Sequence, residues 1–192
     1  LQVGTMNLFP MAPLDGGHLA ILAGESLVRR DLSLNAKAWI MNAGALMLLV
    51  AVEEISKADA TVGLILAVQE LSSLALRLAG TEKQQDRFLP KLASGEWIAA
   101  YALTEPGSGS DAAAMRSEAK RDGDEYVLNG SKRFITNAGV AHLYTVFAKT
   151  DPSSGHDGIS CFVVEADAPG FEVGRIEPKL GILQSLVVGM PS

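Results

Sequence analysis

The spacing of hydrophobic residues changes from a helical to a strand period near Trp97, and this change constrains the fold of the 192-residue chain most. Between residues 51 and 97, apolar residues recur at three- and four-residue steps, which places them on one helix face. These residues are Ile55, Ala58, Val62, Ile65, Leu66, Leu71, Leu74 and Leu78. Beyond Trp97 the period is two, which is typical of strands. The pattern predicts an α+β fold, with a helical segment followed by an antiparallel β-domain.

Short motifs predict how these elements are bounded. Gly80 can close a first helix, because glycine readily adopts the backbone conformations found after a last helical turn. Thr81 and Gln84 have the spacing of a capping box, in which each side chain accepts a hydrogen bond from an otherwise unpaired backbone N–H. A second helix is therefore predicted to begin at Glu82 and to end near Pro90.

The second half contains short runs that alternate as strands do. Asn129 and Gly130 separate two of these runs and predict a hairpin, because both central residues of such a turn adopt positive φ. The runs are Arg116 to Arg121, Glu125 to Leu128, Lys132 to Thr136, Leu143 to Lys149, Ile159 to Glu165 and Phe171 to Ile176.

Charge and cysteine content exclude several classes of function. The chain has 16 basic and 22 acidic residues and a pI near 5.1, without a Lys/Arg-rich block, so nucleic acid is not predicted as a partner. One cysteine excludes an intramolecular disulfide, and together with three histidines it argues against a Cys/His zinc module. These features predict a cytoplasmic location and no metal site.

Two segments after Trp97 could bind a ligand. Pro106, Gly107 and Gly109 interrupt regular structure within Tyr101–Asp111, and nearby hydroxyls suit a phosphate or the polar edge of a heterocycle. Phe134 lies two residues before Thr136, so a strand would place the ring and the hydroxyl on one face. By the residues alone, an ordinary loop and a core Phe134 with a cross-strand Thr136 remain alternatives.

The order of several motifs resembles the acyl-CoA dehydrogenase family from about Val50 to Ile182, about two-thirds of the chain. The motifs are Ala79–Gln84, Phe88–Glu96, Tyr101–Asp111, Asn129–Lys132, Phe134–Asn137, Gly158–Ser160, Pro169–Phe171 and Lys179–Ile182. The resemblance implies an N-terminal helical domain, here partial over residues 51–97, and a truncated middle β-domain over residues 98–192. It also implies FAD, bound in the family between the β-domain and a C-terminal four-helix domain that this sequence lacks.

By the family pattern, Ser110 also contacts the acyl-CoA substrate, and Phe134, Ile135 and Thr136 flank the flavin ring. The cofactor-binding residues implied by the resemblance are Tyr101, Leu103, Thr104, Gly109, Ser110, Phe134, Ile135 and Thr136. No catalytic residue is assigned, because the family's catalytic Glu lies in the C-terminal domain. Residues 183–189 also depart from the family pattern.

The implied reaction belongs to fatty acid metabolism. It is α,β-desaturation of an acyl-CoA thioester, with hydride passing to FAD and electrons passing to an electron-transfer flavoprotein. Family members are homo-oligomers. The expectation is that this chain is a fragment that is inactive by itself, and a non-catalytic β-domain that binds a partner is an alternative.

Residues 1–50 do not fit that family. Asn7–His18, a predicted helix over Leu19–Arg29 and an apolar segment resemble the C-terminal end of the site-2 protease family, in which Asp15 would be a zinc ligand by position. The protease's His-Glu-x-x-His is absent, so no zinc site is predicted. The 15 residues of Ala38–Val52 carry no charge, fewer than the roughly 18 that span a bilayer alone. A join near Val50 is predicted, with membrane contact through residues 1–50 and a zinc metalloprotease remnant as alternatives.

Overall fold

A computed structural model describes residues 33–174 and 185–186. The predicted helix Leu19–Arg29 and Asp15 lie outside these residues. The described part of the chain begins with three helices: α1 (Leu34–Ala58), α2 (Ala60–Ala79) and α3 (Glu82–Ser94). The predicted helical half of the chain is therefore confirmed.

The helical stretch predicted from one continuous periodicity is two helices that meet at Asp59. The Asp59 N–H donates to Ile55 O at 2.9 Å and closes α1, while the Asp59 carboxylate accepts from Thr61 N at 2.7 Å and caps α2. One residue thus ends one helix and begins the next, which explains why hydrophobic spacing showed no gap. α2 approaches α1 closely at Gly63, where a Cβ would collide with the Ser56 side chain.

The capping box of α3 is confirmed. Thr81 N donates to Gln84 Oε1 at 2.9 Å, and Gln84 N donates to Thr81 Oγ1 at 3.4 Å. The predicted end near Pro90 is wrong, because α3 continues to Ser94 and is closed by Gly95 in the left-handed conformation. Pro90 is exposed, and buried Phe88 and Leu92 anchor the helix on both sides of it. This packing offsets the hydrogen bond that a helical proline removes.

The sheet combines parallel and antiparallel pairs, and the predicted α+β class is confirmed. The described strands are β1 (Ala99–Ala102), β2 (Glu118–Asp122), β3 (Glu125–Asn129), β4 (Ile135–Thr136), β5 (Leu143–Lys149), β6 (Ile159–Glu165) and β7 (Ser185–Leu186). β5 pairs in parallel with β1 and with the start of β2, and in antiparallel with β6; β2 and β3 form an antiparallel hairpin. The β-domain predicted as antiparallel therefore also contains parallel pairs, because side-chain alternation does not reveal strand direction.

Agreement with the predicted strands is closest in β5 and β6, whose bounds match. The run predicted over Lys132–Thr136 is reduced to the two residues of β4, which pairs with β7. The described residues 171–174 of the last predicted run are not a strand. β1 was not predicted as a strand, because its Ala-Ala-Tyr-Ala sequence shows no alternation between polar and apolar residues.

The predicted Asn129–Gly130 hairpin is wrong. The hairpin turn lies instead between β2 and β3, where Gly123 has a φ of 61°. Gly130 serves close packing, because a Cβ at this position would collide with the side chain of buried Ser117. The glycine therefore lets the chain that leaves β3 pass next to the segment that leads into β2.

Replacing Gly130 with alanine is expected to lower the free energy of unfolding by about 1–3 kcal/mol through this overlap. Urea denaturation measures the change. Gly107→Ala is the matched control, because no atom lies within 4 Å of a Cβ built there. Equal unfolding free energies for the two variants would contradict the close-packing role.

β1 lies between two hydrophobic clusters. On one side Ala99 packs with Leu76, Phe88, Leu92 and Leu143, which join the helices to the sheet. The other side contains Ala100, Ala102, Ile135, Ala138, Ala141, Tyr144 and Val146. Because β1 is held on both faces, the loop that follows it starts from a fixed position.

α1 runs through the predicted join near Val50 without a break. By length and composition, Ala38–Ala58 and Ala60–Ala79 could each cross a membrane. α2 packs through buried Leu76 against the sheet, although its Leu71, Leu74 and Leu78 are exposed. α1 also exposes large apolar side chains. These include Trp39, Leu46, Met47, Leu49 and Val50. The domain boundaries at residues 50 and 97 stay predictions.

Candidate functional site

The two predicted ligand-binding segments meet at the carboxyl end of β1. Arg133 N donates to Thr104 O at 2.7 Å, and Lys132 Nζ donates to Leu103 O at 3.2 Å. The loop over residues 103–111 therefore lies against the chain that enters β4. Nothing in the spacing of these segments predicted this contact, since it joins residues 29 apart in sequence.

A buried ion pair lies beneath this contact. Lys132 Nζ is 2.8 Å from Glu105 Oε1, and the two side chains are 0% and 5% exposed. The Glu105 carboxylate also accepts hydrogen bonds from Arg116 N at 2.6 Å and Ser117 N at 3.0 Å. Burial alone would raise the pKa of the Glu105 carboxyl, but the hydrogen bonds from Arg116, Lys132 and Ser117 hold this pKa below its ordinary value. Glu105 is therefore charged, and both of its carboxylate oxygens accept hydrogen bonds.

Sequence analysis missed this pair as a functional element. Both Lys132 and Glu105 lie within motifs described there, but neither was given a role. The two residues are 27 positions apart, so no helical or strand period relates them. The available signal was weak: a carboxylate at the start of a Pro-Gly turn, and a lysine two residues before an aromatic.

The loop after Glu105 is held by its own backbone. Glu105 N donates to Ser108 O at 2.9 Å, Ser108 N donates to Glu105 O at 3.2 Å, and Ser108 Oγ donates to Asp111 O at 2.7 Å. Ser108 is buried and bonded within the loop, so its hydroxyl serves loop structure. Gly109 and Ser110 are exposed, and no atom lies within 4 Å of a Cβ built at Gly109. Both positions in this loop after Glu105 that the resemblance assigns to a ligand are therefore exposed.

Phe134 presents an aromatic ring at the surface from a strained backbone. Its φ is 59°, an uncommon conformation for a bulky residue, and its side chain is 52% exposed. The guanidinium of Arg133 lies 4.7 Å from the ring centroid. The alternative in which Phe134 is a core residue is therefore wrong. Strain of this kind persists where the surrounding structure enforces it, and it occurs often at binding sites.

The neighbours of Phe134 explain how that backbone is held. Ile135 is 1% exposed and belongs to the core cluster beside β1. Asn137 also has a positive φ, of 69°, and its Nδ2 donates to Ala99 O at 3.1 Å. Both anchors are buried, so they fix Phe134 and half-buried Thr136 at the surface. For Ile135, a ligand contact can come only from the main chain.

The remaining predicted residues lie on or just after β1. Tyr101 is half-buried, with its ring centroid 5.1 Å from that of Phe147. Burial raises the pKa of the Tyr101 hydroxyl, and the neighbouring Cys161 raises it further, so this hydroxyl stays neutral. Leu103 and Thr104 are half-buried. That the Thr104 and Thr136 hydroxyls both form hydrogen bonds to one ligand stays a prediction.

Within residues 33–174 and 185–186, no group of three or more His, Cys, Asp or Glu side chains could hold a metal ion. The zinc-ligand position assigned by resemblance, Asp15, lies outside the described residues.

Comparisons with known proteins agree with this geometry. Residues 40–96 match the acyl-CoA dehydrogenase N-terminal domain, and residues 100–187 match the acyl-CoA dehydrogenase middle domain. The short-chain specific acyl-CoA dehydrogenase of Clostridium acetobutylicum is 47% identical over 138 residues, which are 71% of this chain. Residues 1–51 separately match peptidase family M50, so the two families overlap within α1.

Solved structures give the same relationship. A glutaryl-CoA dehydrogenase from Mycobacterium smegmatis in complex with FADH2 has a TM-score of 0.67 and 38% identity, covering 73% of this chain and 36% of its own. A chain described as electron transferring flavoprotein of Acidaminococcus fermentans has a TM-score of 0.69 and 45% identity, covering 72% and 37%.

This chain spans 36% of the length of the Clostridium relative. The matched domains contain α2, α3, strands β2 to β7 and the two segments that meet at the carboxyl end of β1. Residues 40–187 belong to the acyl-CoA dehydrogenase family, as parts of its N-terminal and middle domains.

Proposed function

We propose that this chain binds FAD on the surface formed by the loop after β1 and the segment around Phe134. The observation that carries the proposal is the contact of these two segments, through Arg133 N and Thr104 O, beside a half-exposed aromatic ring. The surface suits a flavin, because an aromatic ring can pack on the flat ring system and neighbouring hydroxyls can bond its polar edge. The open space at Gly109 leaves room for a ligand next to the backbone.

The residues proposed to hold FAD have separate tasks. Thr104 and Thr136 donate hydrogen bonds to the ring edge, Phe134 packs against the ring, and Ser110 also contacts the acyl-CoA substrate. When bound, FAD supplies the capacity to accept a hydride, and the protein supplies orientation. Further contacts come from Tyr101, Leu103, Gly109 and the main chain of Ile135.

The proposed activity of the complete enzyme is α,β-desaturation of an acyl-CoA thioester, with electrons passing to an electron-transfer flavoprotein. Removal of the α-proton requires a base. Glu105 does not fit this role, because Lys132 and two backbone N–H groups engage its carboxylate and lower its pKa. The base is therefore proposed to come from outside this site, and the isolated chain is proposed to bind FAD without catalysing desaturation.

The location in the cell and the assembly state are also proposals. The proposed cytoplasmic location follows from the charge and the single cysteine of the sequence, and the proposed homo-oligomeric assembly follows from the family resemblance. Membrane contact through residues 1–50 is the second candidate, and two observations favour it: the peptidase family M50 match over residues 1–51, and the exposed apolar side chains of α1. Fractionation of cells that express the chain, before and after a carbonate wash, separates the two locations.

Titration of FAD with the purified chain is expected to quench flavin fluorescence in a saturable way. Phe134→Gly is expected to weaken FAD binding about tenfold, because it removes the ring that packs on the flavin. Its unfolding free energy is expected to stay within about 1 kcal/mol of wild type, because glycine relieves the positive φ.

Thr145→Val is the matched control, since it removes a buried hydrogen bond to Ser72 O at 2.7 Å between β5 and α2. It is expected to lower stability and to leave FAD affinity unchanged. The titration is repeated with the part of the Clostridium relative that this chain does not match. If FAD binds in neither sample, the proposed function is wrong.

A further inference from the structure

We infer that the Glu105–Lys132 pair is a positioning device that sets the register between the loop after β1 and the Phe134 segment, an inference that rests on the proposed FAD site. Both side chains of the pair are buried, so the pair is not proposed to contact FAD itself. It acts through neighbouring residues, which are Thr104 in the loop and Phe134–Thr136 in the segment that contains β4.

Three successive loop residues are tied to two successive residues of the partner segment. Leu103 O and Glu105 Oε1 both accept from Lys132 Nζ, at 3.2 and 2.8 Å, and Thr104 O accepts from Arg133 N at 2.7 Å. Thr104 is therefore flanked on both sides by bonds to Lys132. The loop cannot slide along the strand by one residue without breaking all three contacts.

Glu105 extends the same arrangement to the far end of the loop. Its carboxylate accepts from Arg116 N and Ser117 N, so residues 105 and 116–117 are joined through one side chain. The segment between them contains Gly109 and Ser110. Its two ends are thus fixed while its exposed middle remains open to a ligand.

Stability alone is a poor explanation for such a pair. Moving two charges out of water is costly, and well-packed apolar residues of similar volume often replace buried ion pairs without loss of stability. What apolar residues do not provide is directional bonds to specific carbonyl and N–H groups. The geometry of the pair therefore indicates a role in register, to which ligand affinity is sensitive.

The test compares Lys132→Met, the double variant Glu105→Gln with Lys132→Met, and the Thr145→Val control in the full chain. Hydrogen exchange is measured without FAD. The exchange rate of the Arg133 amide, which donates to Thr104 O, is compared with the rates of the amides of β5. Exchange at Arg133 is expected to accelerate about tenfold or more in both Lys132 variants while β5 stays protected. In the control, the Arg133 amide is expected to exchange as in wild type.

FAD titration supplies the second measurement. Affinity is expected to fall about tenfold in Lys132→Met and to stay low in the double variant, even where removal of the unpaired carboxylate restores the denaturation midpoint. The inference is overturned if exchange accelerates uniformly across the sheet, or if affinity recovers together with stability. If FAD binds to the wild-type chain neither alone nor with the part of the Clostridium relative that this chain does not match, the proposed function fails, and the exchange pattern by itself then confirms or contradicts the positioning role.

Discussion

Gln69→Leu is expected to lower the free energy of unfolding by about 3–5 kcal/mol, because it removes the partners of Trp97 O and of the buried Ala99 N and one of the two donors to Leu92 O. The Gln69 side chain donates to Leu92 O at 3.3 Å and Trp97 O at 3.1 Å, and it accepts from Ala99 N at 2.8 Å. Gln69 is 5% exposed, so water cannot replace these bonds. Leucine has a similar volume, so the change measures the lost hydrogen bonds. Urea denaturation gives the value.

A matched glutamine is available as the control. Gln85 also makes three hydrogen bonds to the backbone, all to carbonyls, at Leu76, Arg77 and Gly80, but it is only half-buried. Water can reach these carbonyls, so Gln85→Leu is expected to cost about 0.5–1.5 kcal/mol. Equal losses for the two variants would show that Gln69 does not join α2, α3 and β1 in the way described.

Glu105→Leu is expected to cost about 3–5 kcal/mol, because it leaves the Lys132 ammonium buried and unpaired. It also removes the acceptor of Arg116 N and Ser117 N. Glu53→Leu is the control: Glu53 pairs with Lys57 at 3.3 Å on the exposed face of α1, and its loss is expected to cost less than about 1 kcal/mol. A loss at Glu105 no larger than this would contradict the buried pair.

The cost of Glu105→Leu is also expected to depend on pH. The folded state lowers the pKa of Glu105 below its ordinary value of 4.5, so the charged carboxylate stabilises the fold fully above that value. This stabilisation is lost as the pH falls through the lowered pKa. Denaturation between pH 7 and 3 is therefore expected to show the difference between wild type and Glu105→Leu shrinking at the acid end. A difference that grows on acidification would reverse the sign and exclude the charged form.

The features that local sequence predicted are those that depend on neighbouring residues. The Thr81 and Gln84 motif placed the start of α3 correctly, since a capping box involves only the first turn of a helix. Alternation placed β5 and β6 with their observed bounds. The apolar spacing was less informative in α2, where Leu71, Leu74 and Leu78 of the predicted apolar face are exposed.

Predictions that depended on how elements meet were less successful. Pro90 was expected to end α3, yet burial of Phe88 and Leu92 carries the helix past it. Asn129–Gly130 was expected to form a hairpin turn, but Gly130 instead allows close approach to Ser117. In both cases a local preference was outweighed by packing against a distant segment.

The site shows the same division. The residues assigned to the cofactor were named through the resemblance, and the structure places two of them, Phe134 and Ser110, at the surface. The contact between Arg133 and Thr104 and the buried Glu105–Lys132 pair emerged only from the folded chain. No property of either segment alone indicates that the two segments are neighbours.

The α+β class, the change from helices to strands near Trp97 and the capped start of α3 could all be predicted from local sequence. Hydrophobic period and capping are set by residues within a few positions of each other. Only the tertiary structure decided the parallel pairing of β1 with β5, the exposure of Phe134 and the pairing of Glu105 with Lys132. Those features depend on strand direction, close approach and burial, which exist only once distant parts of the chain pack together.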